Sequence, residues 1–122
     1  MSTLFIGVMS GTSLDGVDAV LVDTAEGFHC LAHVAVPMPQ TLREHFLQLN
    51  QTGPHELHLA ALSANALVAL YSQAVHSLLR TTNHPAQAIA AIGAHGQTVR
   101  HQPQMHDGVG YTLQLNNPAL LA

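Results

Sequence analysis

Leu4 to Met9 is a short apolar run bounded by polar residues and glycine, and it predicts a buried strand. The polar turn SGTSLDG separates it from a second apolar run, Val17 to Val22. There Val17, Ala19 and Leu21 fall on one face and Val20 and Val22 on the other, the two-sided pattern of a strand in a covered sheet. Glu26-Gly27 turns the chain into Phe28 to Val36. Phe28, Cys30, Ala32, Val34 and Val36 share one face at period two, and His29, Leu31 and His33 share the other. These three segments read as an antiparallel meander.

Pro37 and Pro39 end the third strand, and the period then lengthens. Thr41 and Glu44 have the spacing of a capping box, with Leu42, Phe46 and Leu49 as the helical stripe behind it. Thr52-Gly53-Pro54 breaks this helix and starts a longer one, roughly His55 to Arg80. Its middle, LAALSANALVAL, is apolar almost all round and predicts a buried or interface helix. Asn83-His84-Pro85 ends it. Ala88 to Ala94 is a continuous apolar run, expected to be a central parallel strand. A glycine-containing loop follows, then an alternating strand from Tyr111 to Leu115. Asn117-Pro118 supplies an N-cap and first-turn pair for a last helix that stops after one turn at Ala122. The order is β-β-β-α-α-β-β-(α), an α/β lobe with a mixed sheet, helices packed on it, and its C-terminal end expected to be missing.

The 122 residues are enough for one core, and 48% of them are hydrophobic against 8% charged, so the chain is globular rather than disordered. There is no lysine, and the strong cations are Arg43, Arg80 and Arg100. With a net charge of −4, nucleic acid and anionic membranes are excluded as main partners. Any phosphate must be met by backbone amides, hydroxyls and a metal. The one cysteine, Cys30, excludes an internal disulfide framework and fits a reducing compartment. In its apolar run it reads as a buried structural thiol. No secretory leader or membrane-length apolar stretch is present, so the expected location is cytoplasmic.

SGTSLDG, Ser10 to Gly16, places two glycines and three hydroxyls in seven residues. Successive amides in such a turn form an anion-binding nest, and the hydroxyls donate to phosphate oxygens. The carboxylates Asp15 and Asp18 repel bare phosphate but can hold Mg²⁺, often through water, so the turn suits a metal–nucleotide complex. An ordinary hairpin turn, rich in Gly and Asp for conformational reasons, is the plainer reading, and both stand at this point. It is not a Walker loop, because the GK[ST] ending is absent.

GAHGQTVRH, Gly93 to His101, leaves the carboxyl end of the expected parallel strand, where ligands of open α/β sheets gather. His95, Gln97 and Thr98 can hydrogen-bond a polyhydroxylated ligand, Gly93 and Gly96 allow close approach, and Arg100 suits an anionic group. A glycine-rich turn with a structural histidine is equally open. The ten histidines include the pairs His29/His33, His55/His58 and His101/His106, but none has the spacing of a zinc motif. Arg43 and Arg80 read as solvated or ion-paired helix residues.

Taken together, IGVMSGTSLDGVDAVLVD, IGAHGQTVRHQP and TLQLNNPALLA resemble the N-terminal part of the anhydro-N-acetylmuramic acid kinase family, over essentially the whole chain. The resemblance implies the two-lobed, ribonuclease H-like fold shared by actin, hexokinase and the chaperone ATPases. It implies conversion of 1,6-anhydro-N-acetylmuramic acid, ATP and water to N-acetylmuramic acid 6-phosphate and ADP in cell-wall recycling. By position, Gly11, Thr12, Ser13, Leu14, Asp15, Gly16, Val17 and Asp18 fall on the family's ATP-phosphate loop. His95, Gly96, Gln97 and Thr98 fall on its sugar-side loop. Actin-like relatives usually carry a metal-holding aspartate where Met9 stands, so Asp15 or Asp18 is expected to take that role.

The family's water-activating aspartate and second lobe lie beyond Ala122, so residues 1–122 are expected to be part of the first lobe and, alone, nearly inactive. Two other uses of the chain stay open: a nucleotide-gated binding protein of the same fold, and a non-catalytic interaction lobe. The apolar helix suits packing against the second lobe or against a partner, including a second copy.

Overall fold

A computed structural model describes residues 2–122. Strands β1 (Leu4–Ser10), β2 (Gly16–Asp23) and β3 (His29–Pro37) are followed by helices α1 (Gln40–Leu49) and α2 (Glu56–Thr82). After a 3₁₀ turn at Ala86–Ala88 come β4 (Ile89–Ala94), β5 (Gln97–Pro103), β6 (Gly110–Leu115) and the one-turn α3 (Pro118–Leu121). The first sheet has the order β3-β2-β1-β4, antiparallel except for the parallel pair β1–β4, and β5–β6 form a separate antiparallel hairpin. The fold is therefore α/β with a mixed sheet.

Period two decides which side of the sheet is covered. Ile6, Val8 and Ser10 of β1 and Val17, Ala19 and Leu21 of β2 are buried, whereas Phe5, Met9 and Asp18 of the opposite face are exposed. Helix α2, about 40 Å long at 1.5 Å per residue, packs across β1, β2 and β3 and against α1. Its buried positions Ala64, Leu67, Val68, Tyr71, Ala74, Val75 and Leu78 follow helical spacing. Leu42, Phe46 and Leu49 of α1 complete this core, as their stripe predicts. A Schellman motif ends α2: Asn83 adopts φ 58°, its amide donates to Arg80 O, and His84 N–H donates to Leu79 O at 3.1 Å. Asn117 caps α3 through its side chain, with Pro118 in the first turn, as expected.

Five expectations are corrected. β4 is parallel to β1 but lies at the sheet edge rather than its centre, so Ala90, Ala91 and Gly93 are exposed despite the apolar run. Cys30 is exposed, not buried, because burial along edge strand β3 declines from Val36 towards Phe28, which is 76% exposed. Thr41 and Glu44 form no capping box. Pro39, at φ −57°, starts the helix earlier, and Thr41 sits inside its first turn. The stretch LAALSANALVAL buries one face only and leaves Ala61, Leu62, Asn65, Ala66 and Ala69 exposed. Finally, the polar segment after Gly96 is strand β5, which the sequence reads as loop; pairing with β6 makes it one.

The hydroxyls of Ser63 and Tyr71 are buried with no hydrogen-bond partner among the described residues. Burial pushes the Tyr71 phenol up to about 12, with the nearby Gly96 backbone pulling weakly the other way. Folded protein thus holds this proton more tightly than unfolded chain. The stabilising difference is complete below the ordinary tyrosine value near 10 and disappears as pH rises towards 12. Tyr71→Phe should leave stability at pH 7 unchanged or slightly raised, because at most a poorly aligned contact with the Gly96 backbone is lost, and should flatten the alkaline fall. Urea unfolding of both proteins at pH 7 and 11 measures it; a large loss at pH 7 would show an unseen partner for the hydroxyl.

Candidate functional site

The turn from Ser10 to Gly16 is built from both ends. β1 and β2 pair as far as Ser10 opposite Val17. Leu14 N–H then donates to Gly11 O at 3.1 Å and closes the turn. Leu14 adopts φ 57° and drives its side chain into the core, where it is 4% exposed. Gly16 is required by a close approach: a Cβ there would lie 2.4 Å from Val36 O, and Met38 N–H donates to Asp15 O at 3.2 Å beside it. The turn is therefore pinned by Leu14 below and by the end of β3 at its side. Between these pins, Thr12 and Ser13 are exposed, and their amides and hydroxyls have no protein partner among the described residues.

One cleft touches this turn, and a second lies over the sheet next to the strands that carry it. One, of about 320 Å³, is walled by Thr12, Asn50, Thr98, Arg100 and His101, with Leu14 and Gln97 among its lining. The other, about 500 Å³, lies over the open sheet face between Met9, Asp18, His33, Gly93 and His95. The expected sugar-side residues are thus divided: Thr98 and Arg100 face one cleft and His95 the other. Gly96, at φ 83°, makes the turn between them, and a Cβ on it would lie 2.5 Å from Leu115 O. His95 N–H donates to Val8 O at 3.1 Å, which carries the β1–β4 pairing one residue past the strand end.

Three expected contacts change character. Gln97 is 1% exposed: its Oε1 accepts from Ser10 Oγ and its Nε2 donates to Thr98 O at 3.2 Å, so its side chain is used internally rather than offered to a ligand. Leu14 and Val17 point into the core, so only their backbone can serve a ligand. Arg100 is not a free cation, since its Nη2 lies 2.7 Å from Glu56 Oε2. That hydrogen bond, with a second from Gly53 N–H at 3.1 Å, holds the Glu56 carboxyl below the usual range and raises Arg100 in turn. Glu56 and Asn50 carry no motif signal in the sequence; only the fold brings Asn50 to the cleft and Glu56 to Arg100 behind it.

Asp15 and Asp18 line the groove beside Ala35 and Pro37. Asp18 Oδ1 is 3.0 Å from His33 Nε2. No group of three or more His, Cys, Asp or Glu side chains is placed to hold a metal among the described residues. Asp15 and Asp18 by themselves therefore form no dedicated metal cage among the described residues. No described helix is long and apolar enough to cross a membrane.

Comparison with known proteins agrees with these motifs. The family model described as anhydro-N-acetylmuramic acid kinase matches residues 3–122. A protein of that name from Albidiferax ferrireducens is 61% identical over 100% of this chain and 32% of its own length. Its namesakes from Variovorax paradoxus and Bordetella petrii are 56% and 57% identical, each over 98% of this chain and over 32% and 31% of their own. The chain thus spans about a third of the length of the curated relatives it matches. On a match through both glycine-containing segments, the chain belongs to the anhydro-N-acetylmuramic acid kinase family.

Proposed function

We propose that the chain is the N-terminal part of the first lobe of an actin-like, ATP-dependent sugar kinase. In this reading the Ser10–Asp18 segment receives the polyphosphate of a Mg²⁺-bound nucleotide. The supporting observation is the turn itself: Thr12 and Ser13 present unpartnered amides and hydroxyls on a backbone fixed by Leu14 and Gly16. Such donors bind polyphosphate without any lysine, and they are preorganised because their anchor is buried. Asp15 and Asp18 would hold the ion through water, and the ion would neutralise charge on the phosphates. The amino sugar, 1,6-anhydro-N-acetylmuramic acid, is assigned to the cleft walled by Thr12, Thr98 and Arg100, with Gln97 supporting that wall from below. Its ring opening and phosphorylation at the C6 oxygen complete the reaction. The base that activates water and the closing second lobe are assigned to sequence outside these 122 residues.

The test is titration of the chain with Mg²⁺ and a non-hydrolysable ATP analogue. Binding of the analogue is expected, and a separate assay with ATP and the amino sugar should show no turnover by the 122-residue chain. Thr12→Ala and Ser13→Ala should each weaken binding about tenfold, the scale of one hydrogen bond to a charged group. Asp15→Asn or Asp18→Asn should weaken it only when Mg²⁺ is present. Binding unaffected by all four substitutions would remove the nucleotide from this turn.

A further inference from the structure

The Ser10–Gln97 hydrogen bond joins residues 87 apart in sequence at the junction of the two glycine-containing segments. Both residues are buried, Ser10 on the last position of β1 and Gln97 on the first of β5. Ser10 immediately precedes Gly11, the start of the phosphate-type turn, and Gln97 immediately follows Gly96. A buried hydroxyl and a buried amide oxygen satisfy each other, and loss of either orphans the other. The remaining Gln97 amide group is held by Thr98 O, which fixes the side chain from its other end.

We propose that Ser10 and Gln97 are positioning residues. Their bond is a strut that sets the phosphate turn and the Thr98–Arg100 wall at a fixed separation, so that ordering one orders the other. The proposal rests on the nucleotide reading for its functional meaning, but the strut itself is a property of the ligand-free fold. The sequence assigned Gln97 to ligand contact; its burial assigns it beneath the cleft, acting through Thr98 and the turn. The consequence is mechanical coupling between the nucleotide and the acceptor side.

Two native amides report on the two ends. Leu14 N–H is bonded within the turn and His95 N–H is bonded to Val8 O, both at 3.1 Å, and neither residue is part of the strut. Amide hydrogen exchange on the 122-residue chain reads both. Gln97→Met should speed exchange at Leu14, and Ser10→Ala at His95, each about tenfold. The double variant S10A/Q97M removes both ends of the strut bond and frees only the Thr98 carbonyl, which is partly exposed, so its unfolding midpoint should return towards that of the native chain while both amides stay fast. A purely structural bond would instead let exchange recover along with stability. Adding Mg²⁺ and the non-hydrolysable ATP analogue should protect both amides in the native chain and Leu14 alone in the double variant. Ser10→Cys, which keeps the size and weakens the donor, serves if the double variant does not fold.

Exchange effects confined to the substituted side, or His95 protection by nucleotide persisting without the strut, would overturn the proposal. Absence of nucleotide protection at both amides of the native chain would instead remove the nucleotide reading. The ligand-free measurement would then still decide the strut.

Discussion

Gly16→Val is expected to destabilise the fold by on the order of 3 kcal/mol and to abolish nucleotide binding at the turn. Any Cβ at this position falls 2.4 Å from Val36 O and 3.2 Å from Pro37 Cα, and both are backbone atoms. A side chain at the end of a flexible stem could move aside, but β3 cannot without giving up its register with β2, which pairs Gly16 with Pro37 and Val17 with Val36. The shift would also break the Met38-to-Asp15 backbone bond that pins the turn. Stability and binding should therefore fail together. Gly11→Ala is the control, since its Cβ would meet only Ser13 Oγ at 3.8 Å. Its stability should change by no more than about 0.5 kcal/mol, as for an unhindered surface site. Denaturant unfolding of the two variants decides: equal small effects would mean that β2 and β3 separate more easily than their register implies.

That contrast also marks what could be read before the fold was known. Local period was legible: Leu42, Phe46 and Leu49, the alternation Val17-Ala19-Leu21 and the Asn117-Pro118 start all occupy the faces and ends their spacing predicts. Which glycine of SGTSLDG is sterically required was not legible, because the answer is a carbonyl twenty residues away on another strand. Cys30 and the β4 run fail for a related reason. An apolar strand is buried only where a neighbour and a helix cover it, and both β3 and β4 are edges of this four-stranded sheet. Gln97 and Arg100 both line the cleft beside Thr12, but their partners Ser10 and Glu56 come from distant segments. Sequence supplies the type of donor or charge, whereas its availability to a ligand depends on contacts between elements. Strand β5 gives no apolar signal, because its alternation runs through Thr98, Arg100 and Gln102, residues that a purely apolar count treats as loop.

Leu14→Ala should cost about 2–3 kcal/mol of stability and weaken nucleotide binding at least tenfold, although the removed atoms touch no nucleotide. Leu14 is the one residue of Thr12–Asp15 that is buried, and it belongs to the same core as Phe46, Leu67 and Val99. It is also strained, since a leucine at φ 57° bears the left-handed penalty of roughly 1–2 kcal/mol. Burial of the side chain evidently outweighs that penalty, which makes the residue a plug that draws the turn onto the core. Alanine keeps the strain and loses the plug. Glycine loses the plug and the strain together, so Leu14→Gly should be no less stable than Leu14→Ala, the reverse of the order found at ordinary strand positions. Both variants should free the amides of Thr12 and Ser13 from their fixed aim and lose affinity alike. Paired denaturation and Mg²⁺–nucleotide titration separate the two contributions. A glycine variant clearly weaker than alanine would mean that the backbone at residue 14 is not held left-handed in solution, and an alanine variant with native affinity would mean that the plug does not organise the turn.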